Sequence, residues 1–370
     1  MDVVRGADNE FVFYSPGLYK LDKSVLAELK TLEPYKPALA ALHAWFWIFV
    51  LIKTFLNYSS SVLVYLYPVV IFLIAGRAGV FLQLAHEAGH RLISSNAKVN
   101  DWFGNWIATY PIGLDLRGYA VPHTRHHACP NRPCDPVSDS EKYKVCDVRN
   151  PKLWLLFLKD LLGVTAVTVR FLYQQPLSNK EKQDIEDYLE TNDEKYLACR
   201  AEGESNWQAF KKYLSIGVVQ VIILGALFNF NLYHYFILWI VPLMTAHMFL
   251  MRVRGIAEHG LGIQLQVPLL GQKNRGTLYT RSFGTPANHY AFPLLTFLER
   301  ILIGSLNVYY HHEHHLFPKV PYYNLPKLHK LICEKELQHN PQIFAMGYFE
   351  CLFYNLRHRT PVPFQAPAIP

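Results

Sequence analysis

The chain has 370 residues, of which 51% are hydrophobic, 14% aromatic and only 18% charged, with a formal net charge of +7. So little charge, with the apolar residues gathered in runs, argues against a soluble domain and for a membrane-embedded one. The basic residues are scattered, which argues against a nucleic-acid-binding protein; several flank apolar runs, where they would meet anionic headgroups.

In chain order, residues 1–37 are polar and mixed in charge and read as a cytosolic approach without the basic-then-apolar pattern of a signal peptide. Apolar runs at about 38–56 and 62–84, separated by Asn57-Tyr58-Ser59-Ser60-Ser61, are long enough to cross a hydrocarbon core of ~30 Å. Arg77 marks the expected near interface of the second run, so His86, nine residues on, lies ~13 Å further along the same helix. Residues 98–122 read as a surface-lying or re-entrant segment, and Cys129 to Pro151 as a polar loop. Lys152 to Tyr173 reads as an interfacial helix, because Lys159-Asp160 interrupts it and a crossing here would put the histidine clusters on opposite sides. Ser178 to Asn206 is charged and soluble in character. Two more runs, at about 213–230 and 232–251, turn at Asn229-Phe230-Asn231; Lys211-Lys212 and Arg252/Arg254 flank them, which the positive-inside rule places in the cytosol. The six cysteines (129, 134, 146, 199, 333, 351) lack paired metal spacing and read as free cytosolic thiols. There is no solenoid repeat and no low-complexity tract.

The expected fold is therefore all-α: about four transmembrane helices in two hairpins, plus interfacial helices, under a helical cytosolic cap. The membrane domain is 38–330, with cap segments 85–212 and 252–330, and residues 331–370 form a cytosolic tail. Both termini are expected in the cytosol.

Nine of the 17 histidines fall in three short clusters: His86 and His90; His123, His126 and His127; and His311, His312, His314 and His315. Spacings of three and four residues put side chains on one helical face. A neutral imidazole is a good ligand for iron, copper, nickel or zinc. Unliganded, so dense a cluster would repel itself once protonated. His86, His90, His123, His126, His127, His311, His314 and His315 are thus candidate metal ligands, and eight are too many for one ion, so two ions follow. His259, shortly after the fourth run, is on the correct side to be a ninth. His312 points off the shared face and is left out. Glu87, Glu258 and Glu313 are either outer partners of the ligand rings or solvated carboxylates. His43, His234, His247, His329, His339 and His358 read as ordinary core or surface histidines.

At these residues the chain resembles the membrane fatty acid desaturase and hydroxylase superfamily, from about residue 60 to 330. Its boxes H-x(3,4)-H, H-x(2,3)-H-H and [H/Q]-x(2,3)-H-H stand here as His86–His90, His123–His127 and His311–His315. Asn307, Leu316-Phe317-Pro318-Lys319-Val320-Pro321-Tyr322, Leu325 to His329 and Asp135-Pro136 look like the bacterial lipid-desaturase branch. The resemblance implies a non-haem centre of two irons, oxygen as co-substrate and two external electrons. The third box opens with His311 in place of the glutamine of front-end desaturases. A His-Pro-Gly-Gly haem signature is absent, so the resemblance implies a ferredoxin or cytochrome donor in trans. Three residues, not four, separate His86 from His90, which disfavours acyl-CoA as substrate.

The function implied is an oxygen-dependent desaturase that introduces a C=C bond into a fatty acyl lipid of the bilayer. The alternative within the superfamily is a hydroxylase or ketolase acting on a carotenoid, alkane or other hydrophobic molecule. A metal transporter is a third reading; it needs ionisable groups inside the spans, whereas these histidines lie beyond them.

Overall fold

The computed structural model describes residues 3–5, 12–14, 21–58, 62–128, 148–172, 205–260, 280–283, 293–339, 344–345 and 347–353. Most of the polar loop from Cys129, nearly all of the charged stretch from Ser178, Asp135-Pro136 and the chain beyond 353 lie outside the described residues. The described chain is helical apart from two short ladders. Val3–Arg5 pairs antiparallel with Val12–Tyr14, and Ser282–Phe283 pairs parallel with Phe344–Ala345. Cys333 and Cys351 are the described cysteines; Cys351 is buried and its Sγ donates to the Gly347 carbonyl at 3.6 Å.

Four helices are long and apolar enough to cross a bilayer: Tyr35–Tyr58, Val64–Gly89, Asn206–Phe228 and Leu232–His259. They overlap the four expected runs, but the second and fourth continue past Leu84 and Met251 and carry His86, Glu87, Glu258 and His259 in their last turns. The first helix is apolar all round yet buries only one stripe, Ala41, Ala44, Ile48, Ile52 and Phe55, against its neighbours. Leu39, Leu42, Phe46, Trp47 and Phe49 stay exposed, as expected of a helix whose remaining surface meets lipid. That stripe packs with Ile74, Phe81 and Leu84 of the second helix, Val219, Ile223 and Leu227 of the third, and Leu238 and Trp239 of the fourth. Trp45 joins three helices, its ring 4.8 Å from Phe81 and 5.5 Å from Trp239.

Local chemistry fixes the helix ends. Ser205 and Gln208 form a reciprocal capping box at the start of the third helix, and Asn229 closes it in the left-handed conformation at φ 50°. Asn231 then caps the fourth by accepting from the His234 N–H at 3.0 Å. The fourth helix is irregular, with a π turn over Phe236–Ile240 and a break at Thr245.

The segment expected to lie on the surface or re-enter is a helix, Ala97–Trp102, that widens into a π turn, Phe103–Thr109, and ends through Tyr110–Ile112 at Gly113. Its fully buried Asn100 donates to the Ala88 carbonyl at 2.9 Å, tying it to the end of the second helix. Gly104 permits the close approach: a Cβ there would lie 2.8 Å from that of Ala88.

The expected interfacial helix is two helices, Pro151–Leu161 and Val164–Leu172, broken at Gly163 with φ 74°. Neither half is long enough to cross a bilayer. One face buries Leu153, Phe157 and Asp160 and the other exposes Trp154, Leu155, Leu158 and Leu161. Helix Pro293–Leu302 lies against the second span at Gly76, where a Cβ would meet the Leu302 Cα at 2.8 Å, and Arg77 donates to the Ile301 carbonyl. Arg77 thus satisfies a helix C-terminus and acts as a packing residue.

The ends of the chain are more engaged than an approach and a tail. Lys23–Leu29 docks through Leu29 on Val320, Leu325, Leu328 and Ile332, and Asn324 donates to the Leu29 carbonyl at 2.9 Å. Tyr348–Leu352 buries Tyr348, Cys351 and Leu352 beside the end of the fourth helix. Both oxygens of Glu299 accept its first backbone N–H groups, from Tyr348 at 3.0 Å and Phe349 at 2.9 Å.

Candidate metal centre

The last turns of the second and fourth helices meet two short helices, Leu116–Ala128 and His311–Leu316, and the nine candidate histidines converge there. His86, His90, His123, His127 and His314 form one cluster; His126, His259, His311 and His315 form a second. Within each cluster the ligand atoms lie within 4.8 Å of one another.

The two H-x-x-H-H boxes do not each serve one cluster. At about 100° per residue, positions i and i+4 differ by only ~40°, whereas i+3 falls ~60° to the other side of i. His123 and His127 accordingly face the first cluster while His126 faces the second. The third box does the reverse: His311 and His315 face the second cluster and His314 the first. What spacing alone presents as one face is wide enough to straddle two centres, and each box cross-links them.

The rings meet through Nε2. In the first cluster His86 and His314 approach to 2.9 Å, His90 and His123 to 2.8 Å, His123 and His127 to 3.1 Å, and His127 and His314 to 3.2 Å. In the second, His259 and His311 approach to 2.9 Å, His311 and His315 to 3.1 Å, and His126 and His315 to 3.2 Å. Two nitrogens each ~2.1 Å from one ion and at right angles about it are about 3 Å apart. Burial, aided by the neighbouring imidazoles, pushes His90, His123, His127, His311, His314 and His315 well below the usual histidine range, so these rings are neutral. A neutral ring protonated at Nδ1 offers only a lone pair at Nε2, and a circle of such lone pairs is stable when a cation lies among them. An all-imidazole donor set fits a borderline transition-metal ion such as iron.

The three neighbouring glutamates are buried, so none is a solvated carboxylate. Glu87 accepts from His86 Nδ1 at 3.3 Å and from the Tyr322 backbone N–H at 3.0 Å. Glu258 lies 3.5 Å from His311 Nδ1 and accepts from Arg254 Nε at 2.9 and 3.0 Å and from the Tyr348 hydroxyl at 3.4 Å. Glu87 is thus an outer partner of a cluster ring: a carboxylate can only accept, so it holds the proton on His86 Nδ1 and turns Nε2 inward, whereas Glu258 faces His311 Nδ1 without a hydrogen bond to it. Glu313 differs from that expectation. Its partners are His329 Nδ1 at 2.5 Å and the Ser282 hydroxyl, and it orients no cluster ring. His329 is the core histidine it was read as. His312 is also outside the clusters, buried with Nδ1 3.0 Å from the Thr280 hydroxyl.

Arg252 and Arg254 carry more than a topological signal. Arg252 pairs with the fully buried Asp160, binding the Pro151–Leu161 helix to the fourth span. Arg254 pairs with Glu258 and donates to Gln83 Oε1 at 2.6 Å on the second span. The i,i+4 spacing of Arg254 and Glu258 was the available signal for that pair.

A membrane-embedded helical chain with a nine-imidazole centre defines a class of oxidoreductase. The chain belongs to the fatty acid desaturase family, whose model matches residues 60–346. It is 27% identical to the dihydrorhizobitoxine desaturase of Bradyrhizobium elkanii over 72% of this chain and 68% of that protein. A shorter stretch of 52 residues, 14% of each chain, is 38% identical to the sn-1 oleoyl-lipid 12-desaturase of Arthrospira platensis.

Proposed function

We propose that this protein is an oxygen-dependent fatty acyl lipid desaturase that holds two irons on His86, His90, His123, His127 and His314 and on His126, His259, His311 and His315. The observation that carries the reading is the inward convergence of nine buried imidazoles in two clusters at the ends of apolar helices. An unactivated methylene has no proton that side-chain acid–base chemistry can remove; bound iron with oxygen and two electrons supplies the oxidation that breaks such C–H bonds. The chain's own part is to keep the imidazoles neutral, fix the His86 tautomer through Glu87, set the Glu258 carboxylate beside His311, and exclude water by burial. The electrons come from a ferredoxin or cytochrome in trans, and both termini lie in the cytosol. The remaining alternative is a hydroxylase or ketolase of the same superfamily.

Expression in a host with a compatible reductant, followed by lipid profiling, tests this. New unsaturated acyl chains are expected; new hydroxylated products would favour the alternative. Dihydrorhizobitoxine, the compound in the relative's name, is included as a second substrate, and its exclusive conversion would overturn the lipid assignment. Metal analysis of the purified protein is expected to give about two irons per chain, and a single zinc would reject the two-iron reading.

A further inference from the structure

The two clusters are matched in design and unmatched in charge. Each has one ring whose Nδ1 faces a buried glutamate: His86 faces Glu87 at 3.3 Å and His311 faces Glu258 at 3.5 Å. Among the described residues, Glu87 has no ion-pair contact with a lysine or arginine; its other oxygen takes the neutral Tyr322 N–H. Glu258 is paired with Arg254, whose side chain is only 12% exposed, so its charge is offset where water cannot screen the pair. Among the described residues the first cluster therefore offers five imidazoles and a carboxylate without an arginine partner, the second four imidazoles and an arginine-paired one. Lys319 also approaches the first cluster, its ammonium 3.4 Å from the His90 carbonyl. It is only half-buried, and solvent weakens its field.

We propose that the two ions bind with unequal affinity, the first cluster tightly and first, the second cluster weakly and reversibly, and that the free charge of Glu87 against the Arg254-paired charge of Glu258 contributes to the difference. Two dications a short distance apart repel, so whichever cluster fills first weakens the other. Five donors against four, and a carboxylate with no arginine paired to it among the described residues, decide that order in favour of the first. The inference rests on the two-metal reading above.

The test uses the full-length protein in detergent, stripped with a chelator and loaded with Co(II) under anaerobic conditions. Ions are counted before and after gel filtration. One equivalent is expected to survive gel filtration, and a second to be bound only in excess free Co(II). His127→Ala is expected to remove the retained equivalent and His315→Ala to leave it. Glu87→Gln, which keeps size and shape, is expected to weaken the retained ion by about 10- to 100-fold. This keeps the inference testable if His127→Ala does not fold. Two equivalents of equal affinity, or a retained ion that survives His127→Ala and is lost in His315→Ala, would overturn the inference while leaving two metal sites intact. No Co(II) bound by the wild type at all would overturn the metal reading, and this inference with it.

Discussion

The second and third long helices, Val64–Gly89 and Asn206–Phe228, are both long and apolar enough to be spans, yet the protein uses them in opposite ways. The most apolar window of the second is 56% buried inside the protein; that of the third is 11% buried. The second is surrounded by the first helix, the π-turn segment and Pro293–Leu302, and ends in His86 and Glu87. The third leaves Leu214, Val218, Val221 and Ile222 exposed and touches the site-bearing half through few groups. Apolar composition admits a helix to the bilayer, and what it is packed against decides whether it builds the site or fills the membrane.

The largest expected break in this contrast is at the metal end. His86→Ala removes one of five donors from the first cluster, and desaturation by membranes expressing it is expected to fall by at least about 100-fold with the protein still inserted. Product assay alongside protein quantification checks both halves, and retained turnover would remove His86 from the centre. A purely structural cost comes next. Phe81, in the same helix as His86, is fully buried against Trp45 of the first helix, and Phe81→Ala is expected to lower unfolding stability by about 3–5 kcal/mol, read as a fall in the thermal midpoint in detergent.

The second helix also marks where sequence reasoning ends. The positions of the histidine boxes were legible, because spacings of three and four occur in two boxes and a spacing of four in another, and no ordinary helical face needs that pattern. The sharing of each box between two clusters was not. It depends on how Leu116–Ala128 and His311–Leu316 cross, and a spacing carries no information about the partner helix. The four apolar runs were legible from composition, as was the continuation of the second helix to His86; hydropathy fades before the fourth helix does, so its last turn carrying His259 was legible only as cap. Arg252 was legible only as a charge beside a membrane. Its partner Asp160 is 92 residues away, and nothing local separates a headgroup-facing arginine from one buried in an ion pair.

The smallest expected effects test the contrast within a single helix. Gln220 and Ile222 sit two residues apart on the third helix, ~200° apart around its axis, so they face opposite ways. Gln220 donates to the carbonyls of Tyr110 at 2.7 Å and Pro111 at 2.9 Å and accepts from the Tyr235 hydroxyl at 2.7 Å. With Lys212, whose ammonium lies 3.9 Å from Asp115, it holds the third helix to the segment leading into the second histidine box. Gln220→Leu keeps the bulk and strands those partners, at an expected cost of about 1–3 kcal/mol. Ile222 is 60% exposed, and Ile222→Ala is expected to stay within about 0.5 kcal/mol of wild type, since it strands no buried partner. Thermal unfolding of the two variants side by side checks the pair. If Ile222→Ala proved as costly as Gln220→Leu, the outer face of this helix would have to be packed against protein, and its low burial could no longer be read as lipid contact.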